Sequence, residues 1–272
     1  MDRQSLYAAL QYPGQALGLD PEWQRLRPRF DIHLHGAVAS TNQIAWQQVA
    51  QGAGSGTVVI AQQQVGGRGQ RGRTWVSEPG GLYLSLVLEP ELDAIARPLI
   101  TLATAWGITA VLNHLGLPIG IKWPNDLVYG EQKVGGILTE TRSTAQTQAP
   151  VVIGMGLNWR NQVPSTGQRL WDLLPDPPPA PLQTLSDLAA IALRGTIQGY
   201  AHLHKKGASA LIKDYQRYWV NQGQTVAIGG HQGTVLGVST TGQLQVQLQT
   251  PDGMSVQTLN PGEIQLGYRA PG

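Results

Sequence analysis

Arginines and glycines crowd one short stretch of this chain. Residues 64–75 read Gln64-Val65-Gly66-Gly67-Arg68-Gly69-Gln70-Arg71-Gly72-Arg73-Thr74-Trp75. Glycines let the backbone reach positive φ and bring N–H groups close to a ligand, while guanidinium groups neutralise phosphate or carboxylate. The stretch therefore reads as an anion-binding loop, with a basic surface loop as its plain structural alternative. Gly67, Gly69 and Gly72 also spell the G-x-G-x-x-G of dinucleotide folds, and Glu89 stands about where such a fold wants its ribose-binding acid. That match fails on context. A dinucleotide loop must open a helix, yet Pro79, Gly80 and Gly81 break the chain and a strand-like run follows. No Gly-Lys-Ser/Thr closes the loop, so phosphate binding of the Walker kind fails as well.

Three further clusters mix cations, amides and glycines: Lys122-Trp123-Pro124-Asn125-Asp126-Leu127, Lys133-Val134-Gly135-Gly136-Ile137-Leu138-Thr139-Glu140, and Gly154-Met155-Gly156-Leu157-Asn158. His33 with His35, and His202 with His204, have metal-pair spacing, but no third ligand is in view, so packed or exposed histidines are the better reading. Trp106, Trp171 and Trp219 read as core or lid aromatics, and Trp123 as structural beside its proline. The absence of cysteine excludes thiolate catalysis, cysteine-ligated zinc and disulfides. A net charge of +2 gives no global field for nucleic acid or an anionic membrane. No run approaches the roughly 18 apolar residues that cross a bilayer, and the N-terminus lacks the pattern of an export signal, so the expectation is a cytoplasmic protein with no membrane partner.

These clusters need elements to hold them. With 272 residues the chain can bury one large core and a small one. Residues 1–30, interrupted by Pro13, Pro21 and Pro28, predict one or two helical turns packed on a later domain, too short and proline-broken for a helix-turn-helix on DNA. Strands are expected at 31–39, 57–61, 82–88, 119–123, 135–141 and 151–159, and helices at 42–51 and 98–115. Turn residues separate 119–123 from the next strand at Pro124-Asn125-Asp126 and at Tyr129-Gly130. After the proline-rich connector of Pro175 to Pro181, Thr184 and Asp187 form a capping box for a helix to about 206, followed by another at 208–219. From Gly223 onward residues alternate strictly, with turns at Gly229-Gly230, Thr241-Gly242 and Asp252-Gly253. The fold class is α+β: a mixed sheet flanked by helices over 1–220, its first 35 residues an extension, and a small β-barrel over 221–272.

GRGQRGRTW, KWPNDL, KVGGILTE and GMGLN, in this order and preceded by Ser40-Thr41-Asn42, resemble the signature segments of the biotin protein ligases. The resemblance runs from about residue 36 to the C-terminus. It implies a catalytic domain followed by an SH3-like barrel, of the shorter monofunctional kind without an N-terminal DNA-binding domain. It also implies ATP and biotin as substrates, Mg²⁺ carried with ATP, a biotin carboxyl carrier protein of acetyl-CoA carboxylase as partner, and frequent homodimers. By motif, Ser40, Thr41 and Gln64 would bind the ureido ring, Tyr83 and Ser85 would line its slot, and Gly67, Arg68 and Gly136 would lie near the carboxylate. Trp75 would cover adenine. Asn42, Lys122, Asn125, Asn158, Gln70, Arg71 and Arg73 would serve the nucleotide, with Lys133, Arg68 and Asp126 as the catalytic set and Lys133 as the central cation. Family members usually read GRGR where this chain has Gln70, an uncharged donor. That departure leaves Arg71 or Arg73 to close the loop over the adenylate. A lipoate ligase, or a biotin-binding regulator without turnover, is the alternative. Gly262-Glu263 either steadies the nucleotide site or closes the barrel.

The implied chemistry explains the residue types. A carboxylate attacking the α-phosphorus of ATP forces two anions together, so fixed cations and N–H donors are worth most, about 3 kcal/mol for each one lost. No protein nucleophile is required. Attack by an acceptor lysine on the mixed anhydride then needs a positioned neutral amine and exclusion of water.

Overall fold

A computed structural model describes residues 1–92, 96–142, 149–251, 253–264 and 266–267. Seven strands form the main sheet: β1 (Asp31–Val38), β2 (Thr57–Gln64), β3 (Leu82–Leu88), β4 (Gly120–Lys122), β5 (Asp126–Tyr129), β6 (Gln132–Thr141) and β7 (Val151–Leu157). Their order across the sheet is β1-β2-β3-β7-β6-β5-β4. Only β1 and β2 pair in parallel, around the crossover helix α2 (Thr41–Ala50); every other neighbour is antiparallel. The mixed sheet expected from the sequence is thus observed.

Two long helices cover one face. In α3 (Leu99–His114) the residues from Leu99 through Leu112 are all buried except the half-buried Thr101, because the helix lies between the sheet and α4 (Leu185–Tyr215). The predicted capping box starts α4: Thr184 Oγ1 accepts from the Asp187 N–H, and Asp187 Oδ2 accepts from the Thr184 N–H at 2.8 Å. Gly207, at φ 79°, breaks α4 where the sequence places the boundary between two helices. The second piece stops at Tyr215 rather than 219, because Ile121 N–H binds the Tyr218 carbonyl and Val220 N–H binds that of Ile121. That bridge draws residues 218–220 onto the sheet edge.

Glycines set how closely the helices meet. A Cβ on Gly199 would run into the Ala103 carbonyl, and one on Gly107 into that of Gly195. Gly199→Ala should lower stability by about 1–3 kcal/mol, the usual cost of overpacking a filled core, seen as a lower urea midpoint with an unchanged m-value.

Helix α1 (Arg3–Leu10) and a turn at Pro21–Trp23 make up the extension. Buried Arg194 fastens it to α4 by donating to the Leu10 and Leu26 carbonyls at 3.3 and 2.8 Å. The C-terminal segment is a four-stranded antiparallel sheet of β8 (Thr225–Ile228), β9 (His231–Val238), β10 (Leu244–Thr250) and β11 (Gly253–Leu259). The predicted turn at Asp252-Gly253 and the end of the expected barrel at 268–272 lie partly or wholly outside the described residues. Trp123 joins the two sheets, its indole N–H donating to the Gly242 carbonyl at 3.0 Å. Among the described residues no helix is long and apolar enough to cross a membrane.

Candidate active site

The glycine-arginine segment leaves β2 and folds back on itself. Trp75 N–H binds the Gly67 carbonyl at 3.0 Å and Gly69 N–H binds that of Arg73 at 2.7 Å, so the loop is a narrow hairpin with a single tight turn at Gln70–Gly72. At its tip Arg71 takes a left-handed backbone, φ 59° and ψ 36°, unusual for a residue with a side chain. Its guanidinium lies against Gly262 of the C-terminal segment, where a Cβ would stand 2.5 Å from Nε. The loop tip therefore packs against the segment that follows the second sheet.

Beneath the hairpin lies a cavity of about 550 Å³. Ser40, Thr41 and Asn42 reach it from the start of α2, Gln64 from the end of β2, and Arg68, Gln70, Arg71, Arg73 and Trp75 from the loop. Lys122, Asn125 and Asp126 come from β4, β5 and their connection, Lys133 and Gly136 from β6, and Gly154 and Gly156 from β7. Gly262, Ile264 and Leu266 close one side, so Gly262 belongs to the cavity wall.

One end is a hydrogen-bonding network of neutral groups. Gln64 Oε1 accepts from the Thr41 N–H at 2.8 Å and from the Thr41 hydroxyl at 3.1 Å, while Gln64 Nε2 donates to Ser77 Oγ at 2.9 Å. Ser85 Oγ lies 2.8 Å from Thr41 Oγ1 and 2.6 Å from Asn42 Oδ1. The same cavity is also lined by five cations, Arg68, Arg71, Arg73, Lys122 and Lys133, with Asp126 the single carboxylate among its described lining residues. Lys133 Nζ pairs with Asp126 Oδ1 at 2.6 Å and stands 5.1 Å from the centre of the Trp75 ring. Burial lowers the Lys122 ammonium from its ordinary 10.5 to about 8, against the opposing pull of Asp126 and with help from Lys133 and Arg73.

Four residues expected at the site stand behind its wall. Tyr83 is buried with its hydroxyl donating to the Glu78 carbonyl at 2.6 Å, and burial raises its pKa. Ser85 is fully buried and touches the cavity through Thr41 and Asn42. Gly67 is buried where a Cβ would collide with the Trp75 carbonyl, and Asn158 Nδ2 donates to the Lys133 carbonyl at 3.0 Å. Asn125 Nδ2 likewise donates to the Ile137 carbonyl at 2.6 Å, so two buried amides clamp the strand that carries Lys133.

Sequence reasoning missed Ser77, which orients Gln64, and gave no role to Gly154 and Gly156. Both glycines sit mid-strand, where a missing side chain signals close approach of another group. A Cβ on Gly156 would lie 2.5 Å from Trp75 Nε1, and one on Gly154 would collide with Asn42 Oδ1. Among the described residues no group of three or more His, Asp or Glu could hold a metal; His33 pairs with Asp31 at 2.9 Å.

Residues 36–158 match the Biotin/lipoate A/B protein ligase family. That match takes in just under half of the chain. Its relatives include the bifunctional ligase/repressor BirA of Bacillus subtilis, 35% identical over 130 residues, which are 47% of this chain and 40% of that protein. A biotin–[acetyl-CoA-carboxylase] ligase of Paracoccus denitrificans is 37% identical over 125 residues, 44% of this chain and 50% of that one. The matches thus span half or less of these curated relatives. In fold, a biotin protein ligase from Aquifex aeolicus in complex with biotin and ATP superposes with a TM-score of 0.64 at 22% identity, over 84% of this chain and 95% of that one. Every signature segment that lines the cavity from Ser40 to Gly156 falls within the family match.

Proposed function

We propose that this protein is a biotin protein ligase, forming biotinyl-5'-AMP from biotin and ATP and passing biotin to a lysine of a biotin carboxyl carrier protein. One observation carries the reading: a single cavity is lined both by a neutral network of Thr41 and Gln64, which Asn42 joins through Ser85 instead of serving the nucleotide, and by five cations and one carboxylate. A ureido ring needs paired donors and acceptors, and the neutral end supplies them; the dithiolane of lipoate has no use for them. At the other end the carboxylate of biotin meets the α-phosphate beside Arg68 and Lys133, where their charges hold both anions and offset the charge that develops on pyrophosphate. Asp126 orients Lys133 rather than accepting a proton. Trp75 covers the adenine, and Asn125 and Asn158 keep β6 in place. Magnesium enters only as the counter-ion of the triphosphate.

Incubation with ATP, Mg²⁺, a carrier domain and either biotin or lipoate tests this directly by intact mass. Addition of biotin to the carrier supports the reading; addition of lipoate alone, or of neither, overturns it.

Two expectations concern single cations. The lowered pKa of Lys122 means that in the free protein its charge is present below about pH 8 and lost above it. A bound triphosphate favours the ammonium and so raises that pKa, which makes nucleotide binding take up a proton. Affinity should fall about fivefold between pH 8 and 9 in calorimetry, and Lys122→Met should flatten this dependence while weakening binding at pH 7. At the loop tip Arg71, braced by Gly262, supplies the charge that Gln70 lacks. Arg71→Ala should speed loss of biotinyl-adenylate by about tenfold, roughly the worth of one partly exposed charged contact, whereas Gln70→Arg should slow it.

A further inference from the structure

A second cavity, of about 460 Å³, adjoins the first and shares Ser40, Asn42 and Arg68 with it. Its other wall carries Trp46, Thr139, Glu140 and Arg142. Trp46 is fixed by packing with Ala45, Val59, Val87 and Val152, and its indole N–H donates to Glu140 Oε2 at 2.9 Å. Glu140 Oε1 has no hydrogen-bond or ion-pair partner among the described residues. The guanidinium of Arg142 lies 4.4 Å from the centre of the Trp46 ring, and the buried Thr139 hydroxyl has no partner in the described protein. Adenylate formation, as argued above, uses none of these four side chains.

We propose that this second cavity admits the side chain of the acceptor lysine and that Glu140 takes the proton from its ammonium group. The inference rests on the ligase reading and concerns only its second step. With biotinyl-adenylate in place, both ends of the first cavity are filled, and the carbonyl carbon to be attacked lies beside Arg68. A nucleophile must then arrive from a third direction, and the second cavity meets the first at Arg68. Its charges suit a lysine that has to become neutral. Arg68 and Arg142 disfavour an ammonium group between them, while Glu140, anchored through one oxygen, keeps the other to accept the proton. The amine then forms the new C–N bond as the C–O bond to the phosphate breaks. AMP leaves with the electron pair, and the second N–H proton passes to the departing phosphate and on to water.

The two half-reactions separate this idea from the ligase reading. Glu140→Gln keeps an acceptor for Trp46 and removes the basic group. It should leave biotin-dependent pyrophosphate exchange within about twofold of the parent, and slow single-turnover transfer from preformed adenylate to a carrier domain by about a hundredfold at pH 7. The deficit should shrink as pH rises toward the lysine's own pKa, because water then supplies the free amine. Gln43→Trp, which fills the cavity from its exposed rim, should block transfer to the carrier while hydroxylamine, a small amine, still cleaves the adenylate. Transfer by Glu140→Gln at the parental rate, an equal loss in both half-reactions, or normal carrier transfer by Gln43→Trp would overturn the assignment. Absence of biotin-dependent exchange in the parent protein would instead remove the ligase reading and this step with it.

Discussion

Lys133→Ala is expected to lower the rate of adenylate formation by at least two orders of magnitude, with biotin affinity reduced far less. Lys133 is one of five cations lining the cavity; it pairs with Asp126 at 2.6 Å and stands 5.1 Å from the centre of the Trp75 ring. Its position is over-determined. Asn158 binds its carbonyl, and its N–H binds that of Thr166. A fixed donor of this kind is worth about 3 kcal/mol where charge develops, which converts to roughly a hundredfold or more in rate. Truncation also takes one counter-charge, 2.6 Å away, from the Asp126 carboxylate, with Lys122 remaining in its field, and so adds repulsion of the incoming phosphates to lost attraction. Lys133→Ala with Asp126→Asn should therefore recover part of the loss, which biotin-dependent pyrophosphate exchange would show. If the single variant formed adenylate at a near-parental rate, Lys133 would not be the central cation.

Gly156→Ala should weaken nucleotide binding by about 10–100-fold and leave biotin binding nearly unchanged. An added Cβ would lie 2.5 Å from Nε1, 2.6 Å from Cε2 and 2.9 Å from Cζ2 of Trp75, so the indole has to leave its place. Stacking of a base on an aromatic ring is worth about 1–3 kcal/mol, which sets the size of the effect. Gly154→Ala, two residues earlier on the same face of β7, strikes Asn42 and through it Ser85 and Thr41, so it should harm biotin binding instead. Calorimetry with each ligand should show this crossover. Equal losses of both ligands in both variants would mean that the two ends of the cavity are not separate subsites.

How much of this was legible beforehand differs by element. The strand expected at 82–88 appears at Leu82–Leu88, and the break between two helices falls at Gly207, because short apolar runs bounded by turn residues and glycine punctuation are local signals. The face of that strand was not legible. All of β3 is buried, on both sides, so alternation carries no information there, and Tyr83 and Ser85 turn out to support the cavity from behind. Strand β5 hides in a sequence that reads as a turn: Asp126 is the first of four short-strand residues paired to β6, and only tertiary pairing makes them extended. Among site residues, charge and motif found the loop arginines, Lys122, Lys133 and Asp126, all of which line one cavity. Ser77 was invisible, and Gly262 stayed open between the nucleotide site and the barrel, because each acts on a partner brought near by folding, Gln64 in one case and Arg71 in the other. No spacing rule encodes such contacts.

The account stands on positive charge around Arg68 and Lys133 bringing a carboxylic acid and a nucleotide phosphate within reaction distance. A crystal structure of the protein with biotin and a non-hydrolysable ATP analogue measures this most directly. The expected result is the biotin carboxylate and the α-phosphate side by side, both contacted by Arg68 and Lys133, with the ureido ring at Thr41 and Gln64. Either ligand bound away from those two cations would contradict it.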